Sequence, residues 1–207
     1  ERLGVKTQMI DGRRVTDKET LDIVTMVYGG LVNKQVVAQL HTMGVNAIGL
    51  TGVDGGWMRS VKRPIKNGID YGYVGDVTEV NGFYLRMLIG MGLTPVIAPI
   101  TYSAEGLLLN TNADSVASAV AMGLASKYDV ELVFTLDKAG VLLDVEDESS
   151  LIPTITPQLY KELRDEEKIH SGMIPKIDNA YKTIEAGVKA VRITSPEALT
   201  GGTVVVK

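Results

Sequence analysis

The sequence of 207 residues contains no cysteine, two histidines, one tryptophan and two phenylalanines. Without cysteine there is no disulfide framework, no thiolate metal site and no thiol nucleophile, and the compartment this composition points to is cytoplasmic. His41 and His170 lie far apart along the chain, which disfavours histidine-based hydrolytic and zinc chemistry. No apolar run approaches the ~20 residues of a membrane span, and no signal peptide opens the sequence. A basic stripe is missing as well. Lys and Arg number 21 against 25 Asp and Glu, a net charge of −4, so neither nucleic acid nor a membrane is an expected partner. Absent too are G-x-x-x-x-G-K-[ST], G-x-G-x-x-G after a strand, G-x-S-x-G and H-E-x-x-H. A P-loop, a standard dinucleotide fold, a hydrolase triad and a zincin therefore lack their sequence signals.

What is present is ordinary globular material, 45% apolar and 22% charged, long enough for one domain or two closely joined lobes. Helical and strand-like patterns alternate. Thr16-Asp17-Lys18-Glu19 reads as a capping box, followed by Leu21, Val24, Val27 and Leu31 at helical spacing. Gly29-Gly30 is expected to kink or divide that helix, and Val36, Val37, Leu40 and Met43 continue its apolar face to a stop at Gly44. Strands are predicted at 46–50, 95–100, 107–109, 130–135, 190–194 and 203–206, with a polar-faced hairpin over 57–77. Helices are predicted at 80–91, after an Asn112 cap, after Thr156-Pro157 and over 173–186. Such alternation implies βα crossovers and a mainly parallel sheet, with ligands at the carboxyl ends of strands.

Four loops stand out at such positions. Leu109-Asn110-Thr111-Asn112-Ala113-Asp114 puts two amides and a carboxylate on a strand-to-helix junction, suited to a polar ligand, or simply a turn residue and an N-cap. Ser171-Gly172-Met173-Ile174-Pro175-Lys176 starts a helix with a lysine in its first turn. A cation there opposes the helix dipole and hints at a phosphate, although a lysine pointing to solvent is the commoner case. Arg14, just before a helix, could hold a carboxylate with its guanidinium fork or form a surface salt bridge. Asp137-Lys138-Ala139-Gly140-Val141-Leu142 is a turn after a strand, suited to ribose or phosphate, or merely tight.

These segments, together with Gly12-Arg13-Arg14-Val15-Thr16-Asp17, Val32-Asn33-Lys34, Gly49-Leu50-Thr51-Gly52-Val53-Asp54-Gly55 and Val74-Gly75-Asp76-Val77, occur in an order that resembles the acetylglutamate kinases of the amino-acid-kinase superfamily. The resemblance runs to the closing Gly202-Thr203 strand. It implies an α/β fold, a three-layer α/β/α sandwich with a mainly parallel open sheet. An acyl-amino-acid lobe over about 1–105 and a nucleotide lobe over about 106–207 would form one domain. The family transfers the γ-phosphoryl group of ATP, with Mg2+ held mainly through phosphates and water, to the side-chain carboxylate of an N-acylated glutamate in arginine biosynthesis. By resemblance Arg14 would hold the substrate's α-carboxylate, with Asn110 and Asn112 beside the same reactant. Lys176 would stabilise the moving phosphoryl group, and Asp114 would orient the catalytic lysines. Asp137, Lys138, Ala139, Gly140, Val141 and Leu142 would border the nucleotide, as would Lys168, Ile169, His170, Gly172 and Met173. Partners would be small molecules and further copies of the chain, in a dimer or higher homo-oligomer.

The family also carries a Lys-x-Gly-Gly strand and a His-Gly-Gly-Gly loop, and the sequence contains neither. With no initiator methionine, it is expected to lack an N-terminal section and its first strands, and the 207 residues alone are expected to show weak or no kinase activity. Thr25-Met26-Val27-Tyr28-Gly29-Gly30 and Arg59-Ser60-Val61-Lys62-Arg63-Pro64 resemble a branch in which some members act on succinylated intermediates. A succinyl carboxylate asks for one more cation, for which Arg59, Lys62 and Arg63 are candidates; each also reads as a solvated strand face. The alternative to a kinase is a non-catalytic module that binds an amino acid or nucleotide. A bare reductase is disfavoured by the missing dinucleotide fingerprint.

Overall fold

A computed structural model describes residues 8–10, 13–169 and 172–207. Two compact units divide the chain, Glu1–Val116 and Ala117–Lys207. In the first, β1 (Gln8–Ile10) and β2 (Arg13–Val15) form an antiparallel hairpin. A continuous helical run follows: α1 (Lys18–Val24), a π-helical segment (Thr25–Val32) and α2 (Asn33–Thr42). Then come β3 (Ala47–Thr51), β4 (Met58–Lys62), β5 (Val74–Val80), α3 (Gly82–Gly90), β6 (Thr94–Ala98), β7 (Ile100–Tyr102) and β8 (Leu108–Thr111). β3 and β6 pair in parallel, and β4, β5, β8 and β7 close a small barrel. α4 (Ala113–Ala125) crosses the boundary between the units.

The helical run departs from its expected form in three ways. Asp17, not Thr16, caps α1, its Oδ1 accepting the Thr20 N–H at 2.8 Å. Thr16 is committed elsewhere: its N–H donates to the Tyr71 carbonyl at 2.9 Å and its own carbonyl accepts from Tyr73 N–H at 2.7 Å. Gly29-Gly30 does not divide the helix but sits inside the π segment, where i→i+5 bonding tolerates small residues and widens the turn. That extra width rotates everything downstream. Leu21 and Val24 are buried at 3% and 4% exposure, whereas Leu31 and Met43 stand 59% and 76% exposed.

The inward position on α2 belongs to Asn33, whose Nδ2 donates to the Val96 carbonyl at 2.9 Å. Lys34 Nζ donates to Asn33 Oδ1 and to the Gly49 carbonyl, both at 3.2 Å. A Cβ on Gly49 would lie 1.9 Å from Asn33 Oδ1, so glycine lets this helix bind the β3–β6 sheet through polar bonds. Gly44, at φ +78°, ends the helix as expected.

In the second unit β9 (Glu131–Thr135), β10 (Thr154–Ile155), α5 (Pro157–Asp165), α6 (Ile174–Glu185), β11 (Ala190–Thr194) and β12 (Thr203–Val205) follow one another. The sheet order is β10-β12-β11-β9, parallel for β10–β12 and β9–β11 and antiparallel for β11–β12. Thr156 caps α5 and Pro157 opens it, as the sequence predicts. Ile155, Ile177, Ala180, Val191, Ile193 and Val205 are completely buried between this sheet and α6. Among the described residues no helix is long and apolar enough to cross a membrane.

The Thr20 amide and hydroxyl hold the Asp17 carboxyl below the usual carboxylate range. Its contribution to stability is therefore complete above the unfolded-state pKa and lost as the pH falls through the lowered native one. Asp17→Ala is expected to lower the thermal midpoint near neutrality, and the gap from the parent protein is expected to close as the pH falls below the usual carboxylate range. Thermal melts of both proteins across acid pH read this directly.

Candidate functional site

Within the first unit a cavity of about 220 Å³ is lined by Met9, Arg14, Arg63, Val74, Asn110, Thr111 and Asn112. Strand register gathers them. The parallel β5–β8 pairing sets Val74 opposite Asn110 and Gly75 opposite Thr111. Gly75 permits this approach, because a Cβ there would meet Thr111 Oγ1 at 2.7 Å and Leu109 Cβ at 2.9 Å. Asn110 Nδ2 donates to Thr16 Oγ1 at 3.0 Å, and its backbone N–H donates to the Tyr73 carbonyl at 2.9 Å. Asn112 is the expected cap and also lies on the cavity. Its Oδ1 caps α4 by accepting the Ser115 N–H at 2.9 Å, and its side chain forms part of the cavity wall. Asp114 lies one step further on, in the first turn of α4.

Arg63 also borders this cavity, at 17% exposure of its side chain, with its guanidinium on Asp76: Nε lies 3.1 and 3.2 Å from the two carboxylate oxygens. Arg59 and Lys62 are not in the lining. Arg59 pairs with Glu79 at 3.7 Å over the Tyr102 ring, and Lys62 with Asp70 at 3.9 Å over Tyr73, on half-exposed strand faces. Two guanidiniums and two amides around so small a volume suit an anionic, hydrogen-bonding small molecule.

Within the second unit a cavity of about 250 Å³ is lined by Leu136, Asp137, Lys138, Gly140, Leu142, Val145 and Met173. Its floor is the turn after β9, fixed by one buried hydroxyl. Thr203 Oγ1 accepts the Val141 N–H at 2.8 Å and donates to the Ile152 carbonyl at 2.6 Å. A Cβ on Gly140 would lie 2.7 Å from Thr203 Oγ1, so this crossing requires glycine. Val141 itself points into the core, and Ala139 is outside the lining. Lys168 pairs with Glu166 at 2.7 Å on the surface, while Ile169 is buried in the core. His170, like Gly12 of the first loop, lies outside the described residues. Gly172 is in the turn that leads into α6.

Lys176 stands in the first turn of α6 with Nζ 5.8 Å from the centre of the Phe134 ring. The negative face of that ring offsets part of the cost of a cation at a helix N-terminus. Among the described residues no group of three or more His, Asp or Glu could hold a metal ion. Sequence reasoning missed Met9, Val74, Thr111, Leu136 and Val145 as cavity walls and Phe134 beneath Lys176. Each enters through strand register or through the turn after a strand, which apolar periodicity does not encode.

Residues 1–195 match the model of the amino acid kinase family. The chain is 53% identical over 200 residues to the acetylglutamate kinase of Phocaeicola vulgatus, covering 97% of this chain and 77% of that protein. It is 54% identical over 197 residues to the acetylglutamate kinase of Cytophaga hutchinsonii, covering 95% of this chain and 75% of that one. Among solved structures, the smu.665 protein of Streptococcus mutans superposes with a TM-score of 0.81 at 33% identity, over 99% of this chain and 79% of that one. By sequence over nearly its whole length and by fold, the chain belongs to the amino acid kinase family and, within it, to the acetylglutamate kinases.

Proposed function

We propose that the protein phosphorylates the side-chain carboxylate of N-acetyl-L-glutamate with ATP, a step of arginine biosynthesis. The cavity of the first unit would take the acyl-amino acid and that of the second the nucleotide. The observation that carries this assignment is the cavity walled by Arg14, Asn110 and Asn112, an anion site on rigid strand ends. Identity above 50% to acetylglutamate kinases along nearly the whole chain leaves the non-catalytic module without support.

The chemistry asks little of acids or bases. A glutamate side chain is ionised at neutral pH, so its oxygen attacks the γ-phosphorus without prior proton removal. A bond forms from that oxygen to phosphorus as the bond to the β,γ-bridging oxygen breaks, giving an acyl phosphate and ADP. The protein's part is to align the reactants and stabilise spreading charge. Arg14 suits the stationary α-carboxylate, for which a planar fork is matched, and Lys176 the migrating phosphoryl oxygens, for which a point charge is matched. Asp114 belongs to the same machinery. Leu136, Leu142, Val145 and Met173 offer an apolar bed for a base, while Asp137 and Lys138 offer polar contacts to sugar and phosphate. Gly172, in the turn that leads into α6, would extend that border. Mg2+ would be held mainly by the nucleotide's phosphate oxygens and water and would offset part of their charge. We also infer a cytoplasmic homo-oligomer, because Met26, Leu31 and Met43 leave one helical run widely exposed.

Kinetics of the full-length enzyme test the assignments. Arg14→Ala is expected to raise KM for N-acetylglutamate with KM for ATP unchanged, whereas Lys176→Met is expected to lower kcat by roughly 10²–10³. Equal effects of both variants on both Michaelis constants would overturn the division of roles. Chelation of Mg2+ is expected to abolish turnover, with activity restored by adding the ion back. For the acyl group, Asp76 already compensates Arg63, so N-acetylglutamate is expected to show a larger kcat/KM than N-succinylglutamate. The reverse order, abolished by Arg63→Ala, would instead assign Arg63 to a third carboxylate.

A further inference from the structure

Lys176 can act on a phosphoryl group only if the first turn of α6 is held still. Among the described residues no side chain caps that helix at Met173. The hold comes from α5. The Tyr160 hydroxyl donates to Asp178 Oδ1 at 2.7 Å and lies 3.4 Å from the Ile174 carbonyl oxygen. Ile174 and Asp178 are four residues apart, on one face of α6, and Lys176 projects from the other side of the same turn. One hydroxyl thus fixes both the rise and the rotation of the turn that carries the ammonium.

The Tyr160 ring is itself fixed. It is 8% exposed and packs against Tyr181 with ring centres 5.6 Å apart. Tyr181 in turn donates from its hydroxyl to the Ile155 carbonyl at 3.3 Å, tying the pair to β10. Arg164 Nη1 stands 3.9 Å from the same Asp178 Oδ1. Burial and the Asp178 carboxylate push the Tyr160 hydroxyl up to about 12, so it stays protonated and donating throughout the working range of pH. On the opposite side the Phe134 ring lies under Lys176 Nζ. The turn is therefore gripped from the α5 side and its ammonium is seated on β9.

We infer that Tyr160, acting through Asp178 and the Ile174 carbonyl, is a positioning residue for Lys176. This rests on the reading of Lys176 as the group that stabilises the transferring phosphoryl. A small displacement of a charge aimed at a transition state is costly to the rate while leaving ground-state binding nearly intact.

The test is a double-mutant cycle in the full-length enzyme. Tyr160→Phe keeps the ring and removes the hydroxyl. It is expected to lower kcat roughly tenfold, with both Michaelis constants changed less than about twofold. In the Lys176→Met background the same substitution is expected to cost nothing further, because the group it positions is gone. Asp178→Asn keeps an acceptor oxygen and is expected to retain more activity than Asp178→Ala, which supplies a second route should Tyr160→Phe fold poorly. An unchanged kcat in Tyr160→Phe overturns the inference, as does a full tenfold loss in both backgrounds, the mark of a purely structural role. If Lys176→Met alone leaves kcat intact, the reading of Lys176 fails first and takes this one with it.

Discussion

A closed circuit of hydrogen bonds around Thr16 holds the first cavity together. Thr16 donates its N–H to the Tyr71 carbonyl, accepts from the Tyr73 N–H, and receives the Asn110 side-chain amide on its hydroxyl. Asn110 closes the loop by donating its backbone N–H to Tyr73. The end of β2, the approach to β5 and the strand β8 are thereby fixed to one another through a side chain that is completely buried. Gly72 makes the crossing possible. At φ +73° it adopts a conformation that side chains disfavour, and a Cβ there would lie 2.2 Å from the Thr16 carbonyl oxygen. Arg14, Val74 and Asn110 face one volume because this circuit leaves their strands no other register.

The second unit reaches the same end with a different residue. Thr203, on β12, uses one buried hydroxyl both to receive the Val141 N–H and to donate to Ile152. The turn of 137–142 is thereby bound to the sheet, and Gly140 gives the necessary closeness. In both units a threonine in the core, with a glycine beside its partner, fixes a segment that carries polar groups lining a cavity. The pattern follows from the cost of burying an unpaired polar group. A buried hydroxyl costs least where donor and acceptor are both satisfied.

Much of this was legible in the sequence. The strand at 190–194, the Thr156-Pro157 helix start, the Asn112 cap and the Gly44 stop all appear where local chemistry places them. So did the gathering of Arg14, Asn110 and Asn112, and of Asp137, Lys138, Gly140, Leu142 and Met173, each group on one cavity. What failed was period. The apolar spacing from Leu21 to Met43 reads as α-helix throughout, whereas eight residues of π-helix turn its second half outward. Thr16 was misread because a capping box and a buried bridge residue look alike until the long-range partners, Tyr71 and Asn110, are known. Arg63 was one of three cations of equal standing in the sequence; only the fold separates it from Arg59 and Lys62.

Arg63 in the first unit and Lys176 in the second share one property that bears on the proposed chemistry. Arg63 is held by both oxygens of Asp76, and Lys176 sits over an aromatic face. Neither depends on substrate to be put in place. A charge already oriented by the fold spends no free energy on reorganisation when the transition state forms, whereas a mobile surface lysine would lose rotamer entropy at that moment. The partners also limit how strongly each cation can hold a ground-state anion, since a compensated charge attracts less. On the proposed reading of Lys176, tight orientation with moderated attraction would favour the state in which negative charge is greatest and most spread, the phosphoryl group in flight.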